Sequence, residues 1–547
     1  GNAGWHQPGN PGVRTPNLDR LVSVGMELER HYVYKYCSPS RSAIQTGRNP
    51  IHVNMMNYEP AYYNPNDPIS GFAGIPRNMT GIAAKMAKGG YSTHFVGKWD
   101  AGMATPDHTP RGRGYMSSLH YFHHSNDYWD QTSGICSDRN GDSHRVVDLW
   151  IEEEGKPGAP ALGYNSTCAV SPTRRMGQGC VAGEKVDPVF QGYEDSIFLQ
   201  RVNEIIDRHS NRSSEGKPLF LFWSPHAIHA PLQVPKEFYD RFRNVLADDL
   251  PHHERLTYAA MASFIDEAVG NVTRKLQDNG MWNNTLLVFS SDNGGPVYAA
   301  GVSGANNFPL RGGKMTQFEG GVRVNAFVSG GFLPEGRRGT KFGGLVAGWD
   351  WYATFCQLAG VDPTDHAAAA VGLPPIDSVS ILDVLTGASD ESAREEVALG
   401  TPPCGFFKNE GVAGCKMYGK YERYMVNALV RHDGLKIMLG DHAQAGWTGP
   451  IFPNRTTQHT RCFDPELVTS SCILRCRPFC LFNITVDKEE RVDLVGVLPD
   501  SELQDMVRRV ERAHESVYNP DRGIIDVEAC DTALNRYGGF YGPFVDV

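Results

Sequence analysis

The stretch Cys37-Ser38-Pro39-Ser40-Arg41, completed by Thr46-Gly47-Arg48, is the most distinctive part of this 547-residue chain. It follows an extended aromatic segment, residues 32–36, so we expect Cys37 at a strand-to-helix junction, where exposed backbone N–H groups favour anions. Arg41 comes four residues after Cys37, so on a helix both side chains project from one face. A thiolate phosphatase loop would place its arginine six residues after the cysteine, and the spacing here excludes that kind of site.

Strand-like and helix-like segments alternate on both sides of this stretch. Strands are expected at 92–96, 218–223, 286–289 and 322–328, and helices at 15–26, 80–88, 194–208, 254–278 and 349–359. Uninterrupted apolar strands between helices indicate an α/β fold, with a mostly parallel central sheet flanked by helices. After about residue 390, cysteines, prolines and short strands dominate, and a polar helix follows at 502–518. We therefore predict an α/β domain over residues 1–390 and a smaller C-terminal α+β domain over residues 391–547.

Composition limits the classes of partner. The net charge is −10 and no basic block is present, which argues against nucleic acid. No apolar run approaches the roughly 20 residues that a membrane helix needs, so we expect no membrane span. The chain opens at Gly1-Asn2-Ala3 without an initiator methionine, and we interpret it as a fragment or a processed product.

The Cys-x-Pro-Ser-Arg run followed by Thr-Gly-Arg resembles the signature of the sulfatase family. Four further segments resemble motifs of that family in the expected order: 95–99, 227–235, 291–295, and 309–314 continued by 319–323. Segment 481–484 with Asp493-Leu494 resembles the C-terminal hallmark of the family. The resemblance spans almost the whole chain and is closest to the arylsulfatase B type, within the alkaline phosphatase superfamily.

The resemblance implies a chemistry for Cys37. In the family a dedicated formylglycine-generating enzyme oxidises this cysteine to formylglycine, an aldehyde whose hydrate attacks sulfate esters. The alcohol then leaves, and elimination of sulfate regenerates the aldehyde. By this resemblance the chain is a sulfuric ester hydrolase, acting on sulfated carbohydrates or aryl sulfates.

Four other residues fit the same reaction. Arg41, Lys98 and Lys314 supply three cations, and fixed cations stabilise the negative charge that builds on a sulfate ester during displacement. His229 lies between two prolines on a loop after the strand 218–223, and histidine is a proton donor near neutral pH. By resemblance, His229 hydrogen-bonds the sulfate or protonates the leaving oxygen.

Asp292 and Asn293 follow the apolar strand 286–289, at the end where ligands collect in open α/β sheets. A plain Asp-Asn-Gly-Gly turn is the alternative. By resemblance, these two residues and the group derived from Cys37 hold one Ca²⁺, a cation that prefers oxygen ligands. The family's site normally adds two aspartates at the end of the first strand. Residues 1–12 contain no aspartate, so we expect the first strand and both acids to lie upstream, and this chain to supply only part of the cage.

The segment Gly97-Lys98-Trp99-Asp100 departs from the family's common Gly-Lys-Trp-His. That last position normally contacts the formylglycine and helps to release sulfate. Asp100 is a base by type, and pairing with Lys98 offsets its repulsion of sulfate. His108 and His124, in the loops that follow, are alternative substitutes for the missing histidine.

Twelve cysteines and seven Asn-x-Ser/Thr sites indicate the compartment. Cysteines that close turn-rich loops, together with the Asn-x-Ser/Thr sites, favour a disulfide framework over a zinc site at Cys472, Cys476 and Cys480. With Cys37 converted and Cys356 free in a core helix, ten cysteines remain, an even number. We therefore expect the secretory pathway, with a secreted or lysosome-like location. Cys168 and Cys180 flank one short loop, Cys404 and Cys415 flank another, and Cys462 and Cys530 belong to a C-terminal cluster. The glycosylation sites are Asn78, Asn165, Asn211, Asn271, Asn283, Asn454 and Asn483.

Two other functions stay open at this point. One is a phosphate or phosphonate monoester hydrolase of the same superfamily, although such enzymes often use Thr or Ser as nucleophile and Cys37 argues against it. The other is a catalytically impaired, glycan-binding relative, suggested by Asp100 and by the start of the chain.

Overall fold

The computed structural model describes residues 2–161, 192–211, 216–245, 252–297, 304–401, 419–450 and 472–546. The strands are β1 (Met26–Tyr32), β2 (Tyr62–Tyr63), β3 (Ser92–Lys98), β4 (Ser117–Tyr121), β5 (Thr132–Ser137), β6 (Ser143–Val147), β7 (Trp150–Glu152), β8 (Ala159–Pro160), β9 (Leu219–Ser224), β10 (Leu287–Ser290), β11 (Ala326–Ser329), β12 (Thr340–Ala347), β13 (Glu396–Gly400), β14 (Val426–Arg431), β15 (Leu435–His442), β16 (Leu474–Asn483) and β17 (Ile524–Ile525). The helices are α1 (Pro16–Ser23), α2 (Cys37–Thr46), α3 (Ile82–Lys88), α4 (Glu194–Asn211), α5 (Lys236–Asp240), α6 (His252–Asp278), α7 (Glu319–Val322), α8 (Asp350–Leu358), α9 (His366–Ala370), α10 (Leu382–Thr386), α11 (Asp500–Glu515) and α12 (Glu528–Asn535).

Two sheets form the larger part of the molecule. The first has the strand order β8-β7-β4-β3-β9, and β3 runs parallel to both β4 and β9. The second has the order β10-β11-β1-β12, and β1 runs parallel to β12 but antiparallel to β11. The predicted α/β class is confirmed. Strand directions are mixed because β7 and β11 pair antiparallel to their neighbours, an arrangement that needs no crossover helix.

The edges of the two sheets, β9 and β10, line a common cavity. The cavity has a volume of about 2040 Å³ and also reaches Arg41, Lys98 and Lys314. Most side chains of β9 and all those of β10 are partly exposed, although both strands are apolar. The carboxyl ends of these two strands therefore deliver their following loops to one end of the same cavity.

Several boundaries differ from the sequence prediction. The strand expected at 322–328 is shorter, because a helical turn continues to Arg323, whose backbone N–H donates to the carbonyl oxygen of Glu319, and β11 begins only at Ala326.

Helix α1 begins at Pro16 as expected, but it ends at Ser23 instead of continuing to Met26. Gly25 packs so closely on β11 that a Cβ atom there would lie 2.2 Å from the carbonyl oxygen of Val328. The chain therefore leaves the helix before Gly25 and enters β1, a strand that the sequence pattern did not reveal.

The C-terminal region is built on an antiparallel sheet of β13, β14, β15 and β16, with α11 packed against β14. This agrees with the α+β character predicted there, and the exact boundary at residue 390 stays a prediction. The last segments return to the N-terminal part of the chain. Strand β17 pairs with β2, and Cys530 in α12 forms a disulfide with Cys136 in β5.

The cysteines largely follow the predicted framework. Cys476 and Cys480 form a second disulfide, which excludes the zinc alternative at these residues, and Cys472 is also disulfide-bonded. Cys37 and Cys356 are free and buried, and Cys356 lies in α8 as expected. Among the helices in the described ranges, none is both long and apolar enough to cross a membrane. Cys168, Cys180, Cys404, Cys415, Cys462, Asn165 and Asn454 lie outside the described residues.

Candidate active site

Cys37 is the first residue of α2 and is 1% exposed. Ser40 fixes the turn that precedes it, because its Oγ accepts a hydrogen bond from the backbone N–H of Tyr34 at 3.0 Å. At the other end, Gly47 ends the helix in the left-handed conformation, at φ +68°. Arg48 then pairs with Asp365 at 2.9 Å in the interior. The Thr-Gly-Arg segment thus anchors the helix, and the helix presents Cys37 at its N-terminus.

Arg41 ties four parts of the site together. Its Nε and Nη2 donate to Oδ2 of Asp292 at 2.9 and 2.7 Å. Its Nη1 donates to the carbonyl oxygen of Lys98 at 2.8 Å and also to Oγ of Ser224. Burial by itself raises the pKa of Asp292, but the charges of Arg41 and of the nearby lysines outweigh it and leave that pKa below its usual value. Asp292 is therefore a carboxylate at neutral pH.

Lys98 ends β3 beside β9. Gly97, just before it, has φ +109°, and a Cβ atom there would lie 1.9 Å from the carbonyl oxygen of Ser224. Glycine is needed at this position because two strands approach each other so closely. Nζ of Lys98 lies 3.3 Å from Oδ2 of Asp100, and both side chains are 2% exposed.

Asp100 is held from three sides. Its Oδ1 accepts from Oγ of Ser38 at 2.5 Å and from Nδ1 of His124 at 2.9 Å, while its Oδ2 faces Lys98. Burial alone raises the pKa of Asp100. The charge and hydrogen bond of His124 and the charge of Lys98 reverse that effect, so the pKa lies well below the ordinary value. The backbone is in the left-handed region, at φ +50°, which aspartate tolerates better than most residues.

The two histidines considered as substitutes for the motif histidine lie in different surroundings. His124 contacts Asp100 directly. His108 is fully buried, with Nδ1 on Oγ1 of Thr105 at 2.8 Å and its ring packed on Phe72. Only His124 of these two is brought to the residues around Cys37 by the contacts in the structure.

Lys314, His229 and Asn293 converge on Cys37. Nζ of Lys314 lies 3.3 Å from Sγ of Cys37 and 3.0 Å from Nε2 of His229. Oδ1 of Asn293 lies 3.4 Å from the same sulfur. The loop of Lys314 is fixed to the turn after β10, because the backbone N–H of Lys314 donates to the carbonyl oxygen of Gly295 at 3.1 Å.

His229 is neutral in this arrangement. Its Nδ1 donates to the carbonyl oxygen of Ala230 at 2.7 Å, so Nε2 carries the lone pair that accepts from Lys314. Burial lowers the pKa of His229 well below the ordinary value, and the positive charges of Lys314 and Lys98 lower it further.

Asp292 and Asn293 present oxygen atoms beside Cys37, which is the donor chemistry that a hard cation requires. They provide only two residues, whereas Ca²⁺ takes six to eight oxygen ligands. Within the part of the chain that the structure describes, no group of three or more His, Cys, Asp or Glu side chains is placed to hold a metal ion. The described residues therefore offer the oxygen donors that a hard cation prefers, but too few of them to complete its coordination shell.

The structure adds residues that motif comparison did not find. Ser224, the last residue of β9, accepts from Arg41, and two acids of α4 hold the loop that carries His229. Asp195 accepts from the backbone N–H groups of His226 and Ala227 at 2.8 Å, and Glu194 pairs with Nδ1 of His226 at 2.8 Å. In the sequence, these two residues are visible only as adjacent acids at the start of α4. Acids are also common in the first turn of an ordinary helix, so the pattern does not indicate a role in the site.

Comparisons with known proteins identify the family of the chain. The model of the Sulfatase family matches residues 1–361. Arylsulfatase J of Mus musculus is 28% identical over 541 residues, which cover 97% of this chain and 76% of the relative. N-acetylgalactosamine-6-sulfatase of Rattus norvegicus is 30% identical over 370 residues, 67% of this chain, and the match spans only 62% of that relative's length. The crystal structure of Ps i-CgsB in complex with k-i-k-neocarrahexaose has a TM-score of 0.67 at 22% identity, covering 98% of this chain and 94% of that one.

The chain belongs to the sulfatase family, a class of sulfuric ester hydrolases. Members of this family use a formylglycine and a metal ion. Within the family, this chain is similar to arylsulfatases and to N-acetylgalactosamine-6-sulfatases.

Proposed function

We propose that this chain hydrolyses sulfate esters, those of sulfated carbohydrates in particular, through a formylglycine formed at Cys37. The observation that carries the proposal is the convergence on Cys37 of Lys314, His229 and Asn293, which come from three different loops. A structural cysteine in a core has no need of a lysine 3.3 Å from its sulfur. The curated relatives named for N-acetylgalactosamine-6-sulfate and the neocarrahexaose complex support a carbohydrate substrate.

The cations of the site bind and orient the sulfate group. Lys314 contacts Cys37 at the N-terminus of α2, and Lys98 pairs with Asp100, which accepts from Ser38 in the first turn of that helix. A helix N-terminus favours an anion. Arg41 holds Asp292 and the end of β3 in place. A formylglycine at position 37 supplies the attacking oxygen. Charge that builds on the sulfate oxygens is stabilised by groups already in position, so little reorganisation is required.

The Lys314–His229 pair is suited to supply the proton of the leaving alcohol. His229 is neutral with its Nε2 lone pair on Lys314, so the exchangeable proton of the pair resides on the lysine. Lys314, which Nε2 of His229 holds in place, gives that proton directly to the departing oxygen. This leaves Lys314 neutral, and solvent restores its proton. The two residues thus act as one general acid.

Asp292, Asn293 and the oxygen at position 37 are the residues that would hold a Ca²⁺ ion. When bound, such a cation polarises the sulfate group and adds positive charge to the site. The oxygen donors present support this assignment, and the remaining ligands must come from elsewhere than these two residues.

A formylglycine at position 37 also implies how the protein matures and in which compartment it does so. We propose that a formylglycine-generating enzyme converts Cys37 in the secretory pathway, with a secreted or lysosomal destination. The disulfides Cys136–Cys530 and Cys476–Cys480 support this, because disulfides persist in oxidising compartments.

Phosphate or phosphonate ester hydrolysis and glycan binding without turnover are the competing functions. The test is a parallel assay of the mature protein on an aryl sulfate and on the matching aryl phosphate. We expect turnover of the sulfate, complete loss in Cys37→Ala, and normal turnover in Cys356→Ala, the matched control at the other free buried cysteine. Preference for the phosphate, or binding with no turnover of either ester, would overturn the proposal.

A further inference from the structure

We propose that His124 is a further substrate-contacting residue of this site, oriented by Asp100, and that its Nε2–H donates to an oxygen of the bound sulfate group. This inference rests on the proposed sulfatase function. His124 lies in the loop after β4, outside every segment that resembles a family motif.

The geometry places the imidazole beside the first turn of α2, the helix that begins at Cys37. Nδ1 of His124 lies 2.9 Å from Oδ1 of Asp100 and 3.4 Å from Oγ of Ser38, the residue that follows Cys37. An ionised carboxylate only accepts hydrogen bonds, so Nδ1 carries its hydrogen toward Asp100. The side chain is 16% exposed, although its Nε2 atom is buried.

Two buried nitrogen atoms flank Asp100 without a hydrogen-bond partner among the described residues. One is Nε2 of His124 and the other is Nζ of Lys98, whose only close acid is Asp100 at 3.3 Å. The acid nearest to Nε2 of His124 is Glu59, and its Oε1 is 3.9 Å away, beyond hydrogen-bond distance. A buried donor left unpaired costs about 1–3 kcal/mol. A tetrahedral anion with several acceptor oxygens satisfies both donors at once.

The charges around His124 favour the form with a hydrogen on Nε2. Burial lowers the pKa of His124, but the charge and hydrogen bond of Asp100 and the charge of Glu59 raise it by more, against a smaller opposing effect of Lys98. The net shift is upward. The imidazolium, which has N–H groups on both sides, is therefore stabilised, and it adds a positive charge to the pocket.

Asp100 then has a positioning role. Its Oδ1 is used by Ser38 and His124, and its Oδ2 faces Lys98. The charges of His124 and Lys98 leave the pKa of the Asp100 carboxylate strongly lowered. Asp100 is therefore a poor proton acceptor. The imidazole that the family motif places at position 100 is thus supplied here from position 124.

The first test measures binding of inorganic sulfate to the mature full chain by calorimetry, at pH 5.5 and pH 8. Wild-type affinity should fall as pH rises through the pKa of His124, because the hydrogen on Nε2 is lost. We expect His124→Leu to weaken binding at pH 5.5 at least about 10-fold, the loss of one hydrogen bond to a charged group. His124→Gln keeps a neutral hydrogen-bond donor, so we expect an intermediate sulfate affinity that does not depend on pH. This variant replaces His124→Leu in the test if the leucine variant does not fold.

His123→Leu is the matched control. His123 is also buried and pairs with an acid, Asp148 at 2.8 Å, but it has no contact with Asp100 or Ser38 among the described hydrogen bonds. This variant should lose stability and keep sulfate affinity within twofold of wild type.

A second readout does not depend on activity. The imidazole of His124, followed by NMR, should titrate above the ordinary histidine pKa of about 6.5, and Asp100→Asn should move its pKa downward. Sulfate affinity within twofold of wild type in folded His124→Leu or His124→Gln would overturn the assignment of His124, while wild-type turnover of aryl sulfate keeps the proposed function. If the wild-type protein neither binds sulfate nor hydrolyses the ester, both proposals fail.

Discussion

Nζ of Lys314 lies 3.0 Å from Nε2 of His229, and the same nitrogen lies 3.3 Å from Sγ of Cys37. The lysine thus bridges the position of the nucleophile and the histidine. Because Nδ1 of His229 is committed to the carbonyl oxygen of Ala230, the histidine accepts from the lysine through Nε2. In the proposed mechanism, Lys314 therefore links the nucleophile at position 37 to the source of the proton.

This link predicts how His229→Ala depends on the leaving group. A sugar alcohol needs a proton as it leaves, whereas 4-nitrophenolate leaves readily without one. We expect kcat to fall about 10²- to 10⁴-fold on a sugar sulfate and much less on 4-nitrophenyl sulfate. Steady-state kinetics on both substrates measure the difference. An equal loss on the two substrates would contradict a role in leaving-group protonation.

Asp100→Asn separates the two roles considered for this position. If Asp100 orients His124, the variant should show raised KM and weakened inhibition by sulfate, without a pre-steady-state burst. If Asp100 is the base that releases sulfate, the first step stays fast and a burst of alcohol precedes slow turnover. Rapid-quench measurements distinguish the two outcomes, and a burst would restore Asp100 as the base.

Arg41→Met should make stability depend on pH differently from wild type. In the wild-type protein, burial raises the pKa of Asp292, but Arg41 lowers it below the usual value, so this pair stabilises the fold above about pH 4, and the contribution is lost as pH falls. We expect the variant to lose about 1–3 kcal/mol of unfolding free energy at pH 7. Urea unfolding should show that the gap shrinks at pH 3.5, and an equal gap at both pH values would contradict the assignment.

The C-terminal region holds the Lys314 loop through a buried cluster. Nζ of Lys436 in β15 lies 2.9 Å from Glu319 and 2.7 Å from Glu490, and it also donates to the carbonyl oxygen of Gln317 at 2.7 Å. All three charged side chains are fully buried. We expect Lys436→Met to cost about 3–5 kcal/mol of unfolding free energy, because the buried Glu490 loses its cation and Glu319 keeps only Arg323, at 3.5 Å.

The control for this variant is Lys236→Met. Lys236 pairs with Asp240 within α5, and both side chains are exposed, at 49% and 41%. Such surface pairs contribute no more than about 1 kcal/mol. Thermal or urea unfolding compares the two variants, and similar small losses would show that the buried cluster does not stabilise the fold.

The sequence located the parts of the site that depend on local spacing. Cys37 and Arg41 share α2, Lys98 is the last residue of β3, and Asp292 and Asn293 follow β10. Local motifs, together with strand and helix periodicity, were therefore enough to predict where these residues lie in the fold. The contact of His124 with Asp100 joins two loops after neighbouring parallel strands, and no local pattern encodes which histidine arrives there.

The sheet shows the same limit. Strand β1 contains Glu27, Arg30 and His31, all of which are buried. Because its composition is polar, the sequence pattern did not indicate that this segment is an interior strand of its sheet. The buried environment of these residues is created by other segments, such as Trp351, which donates to His31 at 3.1 Å. The direction of β11 likewise depends on its pairing with β1, a segment about 300 residues away in the chain.

Peptide mass spectrometry across residues 37–41 tests the central claim most directly. The protein is produced in a secretory host that contains a formylglycine-generating enzyme, and its aryl sulfatase activity is measured on the same sample. The account predicts formylglycine at position 37, in proportion to the specific activity of each preparation. An unmodified Cys37 thiol in fully active protein would contradict it.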